Sequence, residues 1–211
     1  MHIQKAAYLI SSPEYTKGPA ADRPEFAFIG RSNVGKSSLI NMLCNNDKLA
    51  KTSNTPGKTQ MINYFDITTT SDLALGKSEE KKWYLVDLPG YGFAKISLHS
   101  RRRWQQMIEN YLRKRENLLQ VFVLIDARHS PQKLDIEFLT RLTKWDVPFT
   151  LVFTKADKET QATVSKNVKL FLAEMRKTWQ FLPQHFVTSA VKKMGREKIL
   201  ALIEEMNEEA P

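Results

Sequence analysis

Cysteine is nearly absent. A single Cys44 among 211 residues excludes an internal disulfide framework, so a packed core must hold the fold. Cys44 itself lies in an apolar stretch of helical spacing and reads as a small core residue. Histidine is scarce too, four in all. His2, His99 and His185 lack the cysteine or carboxylate neighbours of a metal site. His129, in DARHSP, follows a predicted strand end and reads as a loop residue rather than a general base. No run approaches the roughly 20 apolar residues of a membrane span. The N-terminal MHIQKAAYLISSPEYTKGP has only a short apolar patch and no small-residue cleavage site. These absences predict a cytoplasmic protein. Internal repeats and low-complexity tracts are missing as well, and the length suits one domain better than two.

What is present is a 42% hydrophobic composition and a formal net charge of +9. Excess basicity of this size points to polyanionic partners, nucleic acid or an anionic membrane surface, or serves solubility alone. Trp83, Trp104, Trp145 and Trp179 read as packing residues, and the acidic end EEMNEEAP as a solvated helix terminus.

From position 26 the chain alternates short apolar β-rich runs with segments of helical period. EFAFI, QMINYFDIT, WYLVD, LQVFVLIDA, PFTLVFTKA and HFVTSA read as strands. SSLINMLCN, SRRRWQQMIENYLRKR, KLDIEFLTRLTKW, VSKNVKLFLAEMRKTW and REKILALIEEMN read as helices. Continuous apolar strands suit a sheet covered on both faces, so the expected fold is a doubly wound, mostly parallel α/β domain. TTSDLALGKSEEKK reads as a polar, turn-like connection too short for a crossover helix, so the strands it joins should pair antiparallel. Residues 1–22 read as an N-terminal arm without assigned structure, with the domain proper over 23–211.

Between the first of these strands and the first helix stands GRSNVGKSS: Gly30, Arg31, Ser32, Asn33, Val34, Gly35, Lys36, Ser37 and Ser38. This fits G-x-x-x-x-G-K-[ST]. Glycines let backbone N–H groups turn around an anion, and the helix N-terminus adds positive potential. Lys36 would reach the β- and γ-phosphates and Ser37 would ligate Mg²⁺. A second motif, DLPG (Asp87, Leu88, Pro89, Gly90), closes a strand; alone it is a turn. A third, TKAD (Thr154, Lys155, Ala156, Asp157), could be a helix-start cap. After a P-loop, Asp157 can instead accept from N1–H and the 2-amino group of guanine, a donor pair adenine lacks, while Lys155 lays its stem along the base. VTSA (Val187, Thr188, Ser189, Ala190) ends the last strand, where backbone amides could meet guanine O6.

GRSNVGKSS, TPGKTQMINYF, DLPGYGFAK, LIDARHSPQKLD and VFTKAD together resemble the EngB (YihA/YsxC) family of bacterial GTPases, over nearly the whole chain and in order. The resemblance implies a Ras-like GTPase domain that helps assemble the large ribosomal subunit and is needed for normal cell division and septation. It implies Ser37 and Thr59 as Mg²⁺ ligands, Asp87 holding a metal-bound water, and Gly90 contacting the γ-phosphate. Thr59 lies in the first switch, with Gly57, Lys58 and Gln60 beside it. Catalysis would fall to Lys36, Thr59, Gly90 and Asn33. Asn33 matches an asparagine that supports potassium-stimulated hydrolysis in related GTPases, or only shapes the loop. Thr154 stands where many GTPases carry asparagine.

Tyr91 occupies the place of the glutamine that orients water in Ras. A phenol has no low-pKa base function and is bulky enough to pack away from the phosphate. Slow intrinsic turnover is therefore expected, raised by K⁺ or by a partner. Lys95, Arg101, Arg102, Arg103, Arg113, Lys114 and Arg115 form a basic stretch read as a face for ribosomal RNA in a large-subunit precursor, or as a solvated helix surface. Lys192 and Lys193 could extend it. Two other functions compete. A small-molecule phosphotransferase would need an acceptor pocket and an arginine-bearing lid, neither evident. A GTP-dependent binding module of the division machinery or membrane would make ribosome effects indirect. The default oligomeric state is a monomer.

Overall fold

The computed structural model describes residues 1–51, 61–72, 78–92 and 98–210, without the side chains of 71, 72, 78 and 98–101. Seven strands form one sheet. In chain order they are β1 (His2–Ser12), β2 (Glu25–Gly30), β3 (Ile62–Asp72), β4 (Ser78–Asp87), β5 (Leu118–Asp126), β6 (Phe149–Thr154) and β7 (His185–Val187). The helices are α1 (Lys36–Cys44), α2 (Leu98–Lys114), α3 (Lys133–Lys144), α4 (Gln161–Arg176) and α5 (Arg196–Glu209). The spatial order is β1-β3-β4-β2-β5-β6-β7. β3 runs antiparallel to both its neighbours, and the pairings from β4 to β7 are parallel. This is the mostly parallel doubly wound sheet with one antiparallel strand that the alternation implied.

Every residue of β2 is buried, as expected of a central strand with helices on both faces. Its side chains alternate between two cores. Ala27 and Ile29 join Tyr111, Leu139 and Phe171 under α2, α3 and α4. Phe26 and Phe28 join Leu39, Ile40 and Ile203 under α1 and α5. On that side Phe28 stacks on Phe122 with centroids 4.8 Å apart, and Phe26 meets Trp83 edge-on at 5.4 Å.

Two segments depart from the sequence reading. TTSD and SEEKK are not loop: β3 and β4 run on as a ladder, Thr70 opposite Glu80 and Thr68 opposite Lys82, so only 73–77 separate them. Threonine's β-branched side chain suits a strand, and Glu79, Glu80 and Lys82 face water. The antiparallel pairing itself is as expected. Residues 2–12, assigned no structure from sequence, form the edge strand β1, paired with β3 from His2–Thr70 to Ser12–Ile62. Its irregular alternation hides the pattern, because one flank of an edge strand stays solvated; Tyr8 and Leu9 are exposed while Ile3 and Ala6 pack on the core.

Candidate nucleotide site

The P-loop, DLPG and TKAD meet at the C-terminal ends of β2, β4 and β6, where open α/β sheets place their ligands. β2 ends at Gly30. A Cβ there would lie 2.8 Å from Val34 Cγ1 and 2.9 Å from the Leu124 carbonyl oxygen, so only glycine lets the chain turn at this point. Asn33 and Gly35 then adopt left-handed backbone, with φ of 60° and 99°. Gly35 stands at the N-cap of α1 and provides no side-chain cap. By contrast, Thr160 Oγ1 accepts from the Thr163 amide at the start of α4. The first-turn amides of α1, where Ser37 and Ser38 lie, thus keep their donors for an external acceptor. Ser32 Oγ is buried and meets no partner among the described residues.

Lys36 Nζ is ion-paired with Asp87 Oδ1 across the loop. Burial pushes the Lys36 ammonium down to about 7, and the Asp87 carboxylate against it favours the charged form. Asp87 is itself buried at the end of β4, with Asn63 Nδ2 3.5 Å from its other oxygen. DLPG is stitched to β2: the Leu88 amide donates to Phe28 O at 3.0 Å and the Tyr91 amide to Gly30 O at 3.1 Å. Gly90 lies so close to the P-loop that a Cβ would sit 2.6 Å from the Gly30 carbonyl oxygen. Pro89 sets the turn between them.

Thr154 finds its role here. Its hydroxyl donates to the Val34 carbonyl at 2.6 Å, with the Ile125 carbonyl at 3.3 Å, tying the end of β6 to the P-loop. Lys155, left-handed at φ 60°, carries its stem past Gly35, and its ammonium donates to Asn33 O at 2.5 Å and Asp126 Oδ2 at 2.9 Å. Asp157 Oδ1 accepts from Ser189 Oγ at 2.7 Å. That hydrogen bond holds its carboxyl below the usual range. The Ala156 amide donates to Thr188 O, and the Thr188 amide to Phe153 O, which seats Val187–Ala190 beside TKAD.

Gly57, Lys58, Thr59, Gln60 and Lys95 lie outside the described residues. The structure also adds residues that motif reading missed. Asp126 closes β5 and binds both Arg128, through two nitrogens at 2.9 and 2.8 Å, and Lys155. Burial works against its charge, yet these donors hold the carboxyl down at about 2. Asp135, in the first turn of α3, accepts the Tyr91 hydroxyl at 2.8 Å. Tyr91 is stacked on Phe138 at 4.2 Å. Both acids sit in the stretch LIDARHSPQKLD, so the residues were in view, but nothing local says what each one touches. His129 lies in this loop with its ring 4.0 Å from Asp126.

The basic stretch needs one correction. Arg115 does not present itself to a partner: its side chain is 8% exposed, and its guanidinium is bonded to Glu25 at 2.5 and 3.0 Å and to the Pro19 carbonyl at 2.8 Å. Glu25 is fully buried and needs a cation. Arg102, Arg103, Arg113 and Lys114 are exposed, with Arg113 paired to Glu109 one turn back. Arg101 falls within α2, its side chain outside the described set.

A loop whose first glycine has no room for a Cβ, uncapped helix amides, a buried hydroxyl unpartnered among the described residues and a lysine aimed across the cradle fit the phosphates of a nucleotide. Ser37 and Asp87 offer the hard oxygen donors that Mg²⁺ prefers. With a carboxylate held beside the β6 and β7 ends, fold and site define a P-loop GTP-binding domain of the Ras-like kind. The model of the family described as "50S ribosome-binding GTPase" matches residues 25–155. The chain is 48% identical over 210 residues to the "Probable GTP-binding protein EngB" of Flavobacterium psychrophilum, covering 99% of this chain and 97% of that protein. It is 47% identical over 209 residues to the protein of the same name from Porphyromonas gingivalis, covering 99% and 98%. The chain belongs to the EngB family of GTP-binding proteins.

Among solved structures, a "probable GTP-binding protein engB" superposes with a TM-score of 0.62 at 23% identity, over 88% of this chain and all of that one. Era in complex with MgGDPNP and a segment of 16S ribosomal RNA superposes at 0.64 and 23%, over 87% and 56%. At that identity they share the fold. No described helix is long and apolar enough to cross a membrane.

Proposed function

We propose that the chain is a cytoplasmic GTP/GDP switch and slow GTPase that assists assembly of the bacterial large ribosomal subunit, with normal division and septation depending on that role. What supports this most is the convergence of P-loop, DLPG and TKAD at one end of the sheet, in a chain whose family model is described by 50S ribosome binding. Lys36 turns from Asp87 to the β- and γ-phosphates when a nucleotide enters. Ser37 and Thr59, with Asp87 through a water, would hold Mg²⁺, which would supply charge neutralisation at the phosphates. Asp157 reads the guanine edge, and Lys155 covers the base plane. Gly90 senses the γ-phosphate through its amide, and Thr59 orders the first switch.

Tyr91 supports the slow rate. Its phenol is hydrogen-bonded to Asp135 and stacked on Phe138 of α3, so that side chain is not free to align an attacking water. K⁺ beside Asn33, or a partner acting in trans, would supply the missing stabilisation. The exposed Arg102, Arg103, Arg113 and Lys114, continued by Arg101, would meet ribosomal RNA.

The test is co-sedimentation with large-subunit precursors in GTP analogue against GDP, beside affinities for GDP and ADP. Retention in one nucleotide state and preference for GDP are expected. Equal binding of ADP would overturn the guanine assignment. State-independent absence from the particles, with large-subunit precursors unchanged after depletion, would favour the division-machinery reading instead. Rapid turnover in sodium buffer without a partner would sink the slow-switch reading.

A further inference from the structure

The stretch LIDARHSPQKLD reaches the nucleotide site through Asp126, but it ends at a second acid, Asp135, a carboxylate only 3% exposed. Its partner comes from 44 positions away: the Tyr91 hydroxyl, at 2.8 Å. The Tyr91 ring lies nearly flat on Phe138, interplanar angle 16°, so α3 grips both ends of the side chain. The Tyr91 backbone, meanwhile, donates to Gly30 O and bridges to Arg31. One residue is therefore tied to the P-loop through its amide and to α3 through its phenol, immediately after the glycine that faces the phosphate. A cavity of about 120 Å³, lined by Gly90, Tyr91, Trp104, Ile108 and Phe138, lies beside this anchor.

We propose that Asp135 is a positioning residue of the switch: by accepting the Tyr91 hydroxyl it parks that side chain on α3, fixes the Gly90 backbone over the P-loop, and makes α3 follow the nucleotide state. A carboxylate this buried is costly without a donor. A hydrogen bond to a charged acceptor is worth more than a neutral one, enough to change the population of a loop conformation roughly tenfold or more. The proposal rests on the GTP-switch reading, but its geometry can be judged without turnover.

The experiment compares wild type, Asp135→Ala, Asp135→Asn, Tyr91→Phe and the Tyr91→Phe/Asp135→Ala pair. Two readouts are taken on the full chain: amide exchange at Tyr91, whose N–H is bonded to Gly30, and single-turnover GTP hydrolysis with GDP affinity alongside. Asp135→Ala and Tyr91→Phe, the latter keeping the ring stack, should each speed Tyr91 amide exchange about tenfold and lower the hydrolysis rate by a similar factor. GDP affinity should stay within about twofold. Asp135→Asn, which keeps a neutral acceptor, should restore both in part, and the double variant should be no worse than either single one. Unchanged exchange in both single variants would overturn the latch. Faster exchange with unchanged hydrolysis would overturn its role in the switch. Were wild type itself unable to hydrolyse GTP, the proposed function would fall while the exchange result still decided the latch.

Discussion

The hydroxyl of Thr154 reaches the Val34 carbonyl at 2.6 Å and so ties TKAD to the P-loop by one hydrogen bond. Thr154→Val keeps the shape and leaves that buried carbonyl short of a donor. A net hydrogen bond is worth about 1 kcal/mol, so GDP affinity should fall roughly fivefold; titration with a fluorescent GDP analogue checks it. Asp126→Asn, which weakens the hold on Lys155 and Arg128, should lower GDP affinity by a similar factor, measured the same way. Asp135 adds a pH signature. Burial lifts its carboxyl from 3.8 to about 6 in the folded state, so the folded protein binds the extra proton more readily than the unfolded chain. Its contribution to stability is full below about pH 4 and is lost as pH rises through 6. Asp135→Asn should therefore be more stable than wild type by about 2–3 kcal/mol at pH 8, with the gap closing near pH 4. Urea unfolding at both pH values tests the sign; an equal gap at the two would refute it. Gly30, Lys36 and Asp157 were legible in the sequence because spacing within a motif marks them, whereas the bond of the Thr154 hydroxyl to Val34, 120 positions away, was not. Asp126 and Asp135 were not, because what they do depends on Lys155 and Tyr91, 29 and 44 positions away.

The elements were legible where burial is two-sided and hidden where it is not. β2, apolar throughout, announces itself, whereas the threonines and lysines that extend the β3–β4 ladder have the composition of a loop. The same limit applies to α2. Read along the sequence, Arg115 belongs with Arg113 and Lys114, but helix geometry and the strand start at Glu25 turn it inward. There Tyr111 also donates to Glu25, at 2.8 Å. Removing the cation leaves a fully buried carboxylate with the Tyr111 hydroxyl alone. Arg115→Met should cost about 3–5 kcal/mol, visible in urea unfolding, and Glu25→Gln in the same background should recover part of it. Weakened ribosome association in an Arg115 variant would then report unfolding and not the removal of a cation from an RNA-binding face.

At the scale of the molecule, a net charge of +9 raises affinity for any polyanion and cannot by itself choose one. Choice requires cations placed together on one surface, and α2 offers Arg102, Arg103, Arg113 and Lys114 exposed on a helix that follows DLPG in the chain. If that surface lies on ribosomal RNA, each lysine or arginine at a phosphate displaces counterions, and removing one such cation lowers the slope of log K against log salt by roughly one. Arg102→Glu/Arg103→Glu should therefore lower the salt slope of co-sedimentation with large-subunit precursors by about 2. Affinity for GDP should not change, because neither residue takes part in building the nucleotide site. Non-specific attraction by the whole charge predicts something else. Reversing two cations anywhere on the surface would then weaken binding alike, so Lys166→Glu/Lys169→Glu on α4 serves as the control of equal net charge. Equal losses from the two pairs would assign the interaction to bulk charge and leave α2 without a special role. A loss confined to the α2 pair would place the RNA on α2, the helix that follows DLPG in the chain.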